Sequence, residues 1–500
     1  MSYHLLTGAT GLLGTYLLRD GLSAGRRIAV VVRPSAMESA RQRVESLLSR
    51  WEQELGRALP RPPVLLGNLA EPDLGLDRAS LQWVRDHCVS VLHNAASLSF
   101  VANEKTGEPH RSNVEGTRNL LELCRETGIR RFHHVSTAYV CGLRSDRVME
   151  DDLDVGQAFG NDYEETKLAA EKLVRGADFL DPPTIYRPSI IIGDSATGFT
   201  TTFHHFYTPL KIVQEFLNEF QAEKIDGTPL IAAMGLTGHE RKNLVPVDWV
   251  SRVITYLYDR PEHHGRTYHL TPARRVTISE CRAVLERALE EYAKQGRGKN
   301  EAFPEFEQIQ EIFATQMGAY QSYWRDDPEF DRSNVLRAAP HLASCHPDFD
   351  MLLRTSRYAL ETNFGWPRPK PRTPDFDVAE QIENLVPITF SGNGAGNVKV
   401  GLQVNGAGGG EWTLTIDGRR PVAARPGIAP DRGDLLYLNS RTFQECVEGR
   451  LTPRRAMSAG LLSGETGALS GEQLLDVFST IAGQLASTTP LCSTPNGTLP

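Results

Sequence analysis

The opening stretch, Tyr3-His-Leu-Leu-Thr-Gly8-Ala-Thr-Gly11-Leu-Leu-Gly14, leaves the chain few ways to fold. Tyr3–Leu6 is an apolar run of strand length. Thr7 to Gly14 is a Gly-x-x-Gly-x-x-Gly turn, and Leu13, Leu17 and Leu18 continue it at helical spacing. A strand, a glycine turn and a helix start form a phosphate cradle. Glycine lets the backbone approach an anion closely, and the helix N-terminus offers it unpaired N–H groups and the positive end of a dipole. Glycine spacing alone also fits an ordinary tight turn. Its place at the first βα junction, followed by a second strand at Arg27-Ile-Ala-Val-Val-Val-Arg33, favours nucleotide binding.

Strand candidates recur at Ile28–Val32, Val64–Leu66, Val89–His93, Phe132–Ser136 and Thr184–Arg187. Between them lie helix candidates Ala36–Leu55, Ser80–His87, Val114–Arg125 and Asp162–Arg175. This alternation predicts an α/β fold with a doubly wound parallel sheet and a ligand crevice at the carboxyl ends of its strands. After Ile192 the pattern loosens into a loop at Phe199–Tyr207 and helices at Lys211–Phe220 and Trp249–Tyr258, and residues 277 to 363 read as mainly helical. A proline-rich connector at 366–374 marks a boundary. Beyond it, Val398–Val404, Glu411–Ile416 and Leu435–Leu438 read as strands and Phe443–Glu448 and Gln473–Ile481 as helices, a small α+β unit. The expected division is 1–275 nucleotide-binding, with substrate-lobe elements from about 193. A helical extension and linker follow at 276–375, an α+β domain at 376–486 and a disordered tail at 487–500.

A formal charge of −8 gives no electrostatic case for nucleic acid or an anionic membrane. No apolar run reaches the roughly 18 residues of a membrane span. The first strand leaves no room for a signal peptide, and the scattered cysteines fit a reducing cytoplasm. The histidine pairs lack the spacing of metal ligands, so no metal is expected.

Tyr163-Glu-Glu-Thr-Lys167 puts Tyr163 and Lys167 one helical turn apart on one face. An ammonium there would lower the phenol pKa and suit the tyrosine to proton transfer with a carbonyl oxygen. Thr137, after Ser136 at the end of the fifth strand, can hydrogen-bond the same oxygen. The plainer readings are a solvated helix face and simple strand-end chemistry.

Together, Thr7-Gly-x-x-Gly-x-x-Gly14, His93-Asn-Ala-Ala96, His134-Val-Ser-Thr-Ala-Tyr139, Tyr163-x-x-x-Lys167 and Tyr186-Arg-Pro-Ser189 resemble the extended short-chain dehydrogenases/reductases. Asn113-Val-Glu-Gly-Thr117 and Val245-Pro-Val-Asp248 are similar to the thioester-reductase and fatty-acyl-reductase branch. The resemblance covers about residues 3 to 275 and implies a Rossmann-type domain. It implies Thr137, Tyr163 and Lys167 as the catalytic triad and Asn113 in a proton relay. For the dinucleotide it implies Gly8, Gly11 and Gly14 at the pyrophosphate, Asn68 beside the adenine, Ala95, Pro188 and Ser189 on the nicotinamide side and Lys167 at the ribose, with Thr7, Thr10, Leu12, Leu13, Leu69, Asn94, Ala96, Tyr163 and Ile190 also at the cofactor. Asn68 stands where relatives commonly carry aspartate. Arg33 stands where NAD-specific members often carry an acid, which suits NADPH over NADH. The implied activity is reduction of an acyl thioester, on CoA or an acyl carrier protein, to aldehyde or alcohol. The same scaffold also serves oxidoreductases of hydroxysteroids, lipid ketones or nucleotide sugars, and a non-catalytic lipid-binding protein is a further alternative.

A second resemblance covers about 376 to 484. Glu411-Trp-Thr-Leu-Thr-Ile-Asp-Gly418, Leu435-Leu-Tyr-Leu438, Thr442-Phe443 with Gly449, and Ala456-Met457 with Gly460 are similar to the sterol-carrier-protein-2 fold. It implies a lipid tunnel, with Val400, Leu402, Trp412, Leu414 and Ile416 as the candidate lining. A unit used only for packing or for a homodimer contact is the alternative.

Overall fold

The computed structural model describes residues 2–35, 38–220, 225–295, 306–343, 345–366, 377–385, 398–406, 408–417, 420–428 and 434–488. Most of the expected connector and tail lies outside these residues. Strands β1 (Tyr3–Thr7), β2 (Ile28–Val32), β3 (Val64–Leu66), β4 (Cys88–His93), β5 (Arg131–Val135) and β6 (Thr184–Pro188) alternate with helices α1 (Leu12–Ser23), α2 (Ala40–Leu55), α3 (Arg78–His87), α4 (Gly116–Thr127) and α5 (Asp162–Arg175). Three short strands follow, β7 (Ile190–Ile192), β8 (Arg241–Lys242) and β9 (Leu244–Pro246), then β10 (Thr267–Leu270). The main sheet is parallel and seven-stranded, in the order β10-β6-β5-β4-β1-β2-β3. All five residues of β2 and all four of β10 are buried, as expected for parallel strands covered on both faces. Sequence reading missed β10, because Thr-Tyr-His-Leu has neither the length nor the aliphatic run of a buried strand. It also began α2 too early: Ser39 caps it, accepting from the Gln42 amide while the Gln42 side chain accepts from Ser39 N–H.

The chain divides into two compact units. One holds residues 1–26, 67–75 and 88–369, the other 27–66, 76–87 and 370–500. In the first, the register sets Thr7 opposite His93, His93 opposite His134, Val135 opposite Tyr186, and Pro188 opposite Leu270. The carboxyl ends of these strands therefore form one edge. The helical lobe comprises α6 (Thr208–Glu219), α7 (Thr228–Ala233), α8 (Val247–Tyr258), α9 (Ile278–Ala293), α10 (Phe306–Met317), α11 (Ser333–Ala338) and α12 (Phe349–Glu361). Strand β11 (Val276–Thr277) leads into α9, where Thr277 and Glu280 form a capping box. Leu210 and Leu217 of α6, Val284 and Leu289 of α9, and Leu352 and Leu360 of α12 share one core.

In the second unit, helix α13 (Val378–Leu385) precedes strands β12 (Val398–Asn405), β13 (Gly410–Asp417), β14 (Arg420–Pro426) and β15 (Asp434–Asn439). Helices α14 (Ser440–Val447) and α15 (Pro453–Ser458), strand β16 (Leu462–Glu465) and helix α16 (Gly471–Thr488) complete it. The sheet is mixed, ordered β14-β13-β12-β15-β16, with β12 and β15 parallel. Val400, Leu402, Trp412, Leu414 and Ile416 are buried in one cluster with Phe443 of α14 and Phe478 and Ile481 of α16. These side chains pack against one another and against the helices that cover the sheet. Helix α16 continues to Thr488, past the expected start of the tail at 487.

Within this unit α2 is tied to the C-terminal sheet. Asn439 donates from Nδ2 to Glu45 Oε1 at 2.9 Å, and its Oδ1 caps α14 by accepting from the Thr442 amide. Glu45 Oε1 also accepts from Nη2 of the fully buried Arg61 at 3.0 Å, and Arg61 pairs with Glu52. The six described cysteines are buried, and no helix among the described residues is long and apolar enough to cross a membrane.

Candidate active site

The first βα turn is built on backbone contacts that side chains would prevent. Gly8 has φ +70°, and a Cβ there would lie 2.6 Å from the Ala95 nitrogen. A Cβ on Gly14 would lie 1.9 Å from the Gly8 carbonyl oxygen, so α1 can pass this close to the turn only with glycine. Gly11 caps α1 with extended backbone, no side chain caps that end, and the first turn carries no acid. The first amides of α1, from Leu12 onward, thus belong to a helix end with no built-in anion, which fits a pyrophosphate. Thr7 locks the turn to the end of β4. Its Oγ1 accepts from the amides of Asn94 at 3.2 Å and Ala95 at 3.3 Å, and Asn94 Nδ2 donates to the Gly8 carbonyl at 3.2 Å.

The four expected catalytic residues converge. Thr137 leaves β5 with extended backbone, its hydroxyl accepting from the Tyr139 amide at 3.3 Å. Helix α5 starts at the Asn161 cap, with Asp162, Glu164 and Glu165 in its first turn, so cap and acids both favour the helix dipole. That start sets Tyr163 beside Thr137. Burial pushes the Tyr163 pKa up to about 12, with Glu164 adding to the rise and Thr137 opposing it. The expected depression by Lys167 is not seen, because the ammonium donates to the Val135 carbonyl at 2.8 Å. Burial lowers Lys167 to about 8, with Glu171 opposing. Asn113 lies in a π-type turn, Arg111–Glu115, before α4. Its Oδ1 accepts from the Ser97 amide at 2.7 Å and its Nδ2 donates to Thr166 Oγ1 at 3.1 Å, which ties the loop after β4 to α5 between Tyr163 and Lys167. Ser136 stands apart: it donates to Glu171, which pairs with the buried Arg187, so it belongs to the ionic layer beneath the site.

Pro188 and Ser189 are buried at the end of β6, and Ile190, half-buried, opens β7. Ala95 is half-buried and Ala96 exposed beside the turn. Asn68 closes a tight loop, donating from its amide to the Leu74 carbonyl, and Leu69 accepts from Asn119 of α4 at 2.8 Å. In the other unit, exposed Arg33 closes β2, and its carbonyl accepts from Arg43 of α2 at 2.7 Å. Burial and the Arg33 charge hold the Arg43 pKa below its usual value. Arg43 was missed in the sequence, where ten residues separate the pair.

Also missed was an aromatic group beside the tyrosine. Phe100 packs edge-on to Tyr163 with ring centres 5.9 Å apart, and against His205 at 4.8 Å, Tyr320 at 5.3 Å and Tyr323 at 5.8 Å. No spacing in the sequence links these segments. The one available signal was the loop at 199–207, which is rich in Phe and His.

Residues 6–254 match the family described as male sterility protein, an NAD-binding family. The matched residues form an NAD-binding domain of that family, with a Rossmann-type parallel sheet. It is 27% identical over 281 residues, 53% of its length, to the nonribosomal peptide synthetase asaC of Aspergillus flavus, of which the match covers 26%. It is 28% identical over 306 residues, 56% of its length, to the L-2-aminoadipate reductase large subunit of Penicillium chrysogenum, of which it covers 20%. The chain thus spans about a quarter or less of the length of these curated relatives. Among solved structures, the terminal R domain of the myxalamid PKS-NRPS pathway superposes with TM-score 0.55 at 26% identity, covering 74% of this chain and 93% of that one. The thiolation-reductase di-domain of an archaeal nonribosomal peptide synthetase shares the fold, with TM-score 0.52 at 19% identity over 73% of this chain and 76% of that one.

Proposed function

We propose that this chain reduces an acyl thioester with NADPH, releasing an aldehyde. The observation that carries the reading is Tyr163 beside Thr137 at the strand edge, with Lys167 one turn further along α5. The relatives' descriptions, synthetase and thiolation-reductase, point to a thioester held on a carrier. The glycine turn and the N-terminus of α1 would hold the pyrophosphate, and Arg33 with Arg43 the 2′-phosphate. When bound, the dihydronicotinamide supplies a hydride. Tyr163 and Thr137 hydrogen-bond the carbonyl oxygen, where negative charge develops. Tyr163 is protonated at neutral pH, as a phenol with the ordinary pKa of 10 already is, and burial raises it further, so it acts as an acid, the direction reduction requires. Its proton goes to that oxygen, giving a hemithioacetal. The C–S bond then breaks as the hydroxyl proton passes to sulfur, leaving aldehyde and free thiol. We extend the proposal to CoA or an acyl carrier protein as the carrier. A lipid-binding role for the C-terminal sheet is separate, tested by binding of a fluorescent fatty acid to the full chain.

The test is NADPH consumption with acyl-CoA and acyl-carrier thioesters beside ketosteroid and nucleotide-sugar panels. Turnover confined to the thioesters supports the reading, and turnover confined to the others overturns it. Two further results are expected. Arg33→Ala should weaken NADPH binding by about 1.5–3 kcal/mol and leave NADH nearly untouched, because only NADPH carries the extra phosphate. Equal losses would move the phosphate contact elsewhere. The kcat/KM profile of the wild type should fall as pH rises through about 8, because Lys167 loses its proton there and only the charged form favours the ribose and oxyanion side. Lys167→Met should abolish that limb in the residual activity.

A further inference from the structure

Helix α2 has two committed faces. Arg41 and Glu45 are four residues apart, so they share one face, and that face meets the C-terminal sheet. Arg41 Nη2 pairs with Glu411 Oε1 of β13. Glu45 Oε1 accepts from Nδ2 of Asn439, the last residue of β15, at 2.9 Å. The chain just past β12 approaches as closely, since a Cβ on Gly406 would lie 3.1 Å from Glu45 Cγ. In the loop after α2, Pro60 lies against Gly460, where a Cβ would be 3.8 Å from the proline Cγ.

Arg43 is two residues from both Arg41 and Glu45. At about 100° per residue it stands on the other side of the helix. There its Nη1 donates to the Arg33 carbonyl at 2.7 Å, which brings the two arginines together at the end of β2. Burial and then the Arg33 charge lower the Arg43 pKa, so the two cations lie in each other's field. A single helical turn moves as a rigid body, and the Ser39–Gln42 capping box fixes where this one starts. Whatever holds Arg41 and Glu45 therefore also places Arg43, which lies between them in sequence. Recognition of a phosphate by a guanidinium fork depends on orientation, and a shift of about 1 Å is enough to weaken it.

We propose that the C-terminal sheet takes part in cofactor selection: Glu411 and Asn439 are positioning residues that hold α2 so that Arg43, with Arg33, receives the 2′-phosphate of NADPH. The assignment rests on the reading of Arg33 and Arg43 as the phosphate contact and adds the part of the chain that sets their geometry. Charge alone predicts the opposite effect. Glu411 is an acid held two residues from Arg43 along α2, so neutralising it would strengthen the hold on an anion. A loss of affinity on neutralising Glu411 is therefore a loss of position.

The experiment titrates the full chain with NADPH and with NADH, without substrate, and reads the two dissociation constants from cofactor fluorescence. The variants are Glu411→Gln, which keeps the side-chain shape, and Asn439→Ser, which keeps a capping oxygen for α14 and removes the Nδ2 donor. Each should raise the NADPH constant by about fivefold, the scale of one partly exposed ion pair, and leave the NADH constant nearly unchanged. Unchanged or tighter NADPH binding in both variants overturns the proposal. Equal losses for NADPH and NADH also overturn it, because they report general damage to the fold. Arg33→Ala and Arg43→Ala, measured in the same way, separate the two levels of the argument. If the preference for NADPH survives both, the phosphate reading fails and the positioning role falls with it. If either arginine variant abolishes the preference while the Glu411 and Asn439 variants keep it, the phosphate reading stands and the positioning role alone is discarded.

Discussion

Tyr163→Phe is expected to lower turnover by roughly 10²-fold or more while NADPH binds as before. The substitution removes the one acidic proton positioned at the reacting oxygen and keeps the ring. Because Phe100 packs on that ring, the loss should not reflect collapse of the loop after β4. Thr137 would still offer a hydrogen bond, so the remaining rate measures what one donor can do alone. Single-turnover kinetics with saturating cofactor isolate the step, and turnover within a few-fold of wild type would remove Tyr163 as the acid.

Gly14→Ala should raise the NADPH dissociation constant by about 10²-fold or more, because displacing a binding element by about 1 Å is enough for losses of that order. The added Cβ meets the Gly8 carbonyl oxygen, a backbone atom that cannot rotate away, so α1 must move off the turn. Gly11→Ala gives the contrast. Its Cβ would lie at ordinary contact distance, 3.5 Å from the same oxygen. The Gly14 variant should therefore lower the melting temperature of the ligand-free protein. The Gly11 variant should keep that temperature and weaken NADPH alone, by crowding the pyrophosphate. Wild-type affinity and melting temperature in the Gly14 variant would overturn this account of the turn.

Much of the reductase site was legible because its parts are local. The glycine turn lies within one βα junction, and Tyr163 and Lys167 share one helix whose observed bounds, Asp162–Arg175, are those the sequence suggested. Thr137 sits at a strand end, where this architecture places ligand contacts. The strands that escaped reading are short or interrupted: β14 carries Pro421 and Pro426, and β16 carries Gly464, both residues that argue against a strand. The aromatic group of Phe100, His205, Tyr320 and Tyr323 was invisible for another reason. It comes from three distant segments, and only packing brings them together. The rise in the Tyr163 pKa was hidden on the same ground, since burial is a property of the folded whole.

The tie between Glu45 and Asn439 has a consequence for the order in which the protein is made. The two residues are 394 positions apart. At synthesis rates of about 5–20 residues per second, Glu45 and Arg61 leave the ribosome roughly 20–80 seconds before their partner exists. During that interval Arg61 is at hand for the carboxylate, and water must supply the bond that Asn439 gives later. Helix α2 can therefore reach its final surroundings only after translation of β15, which makes the last fifth of the chain a condition for finishing the first.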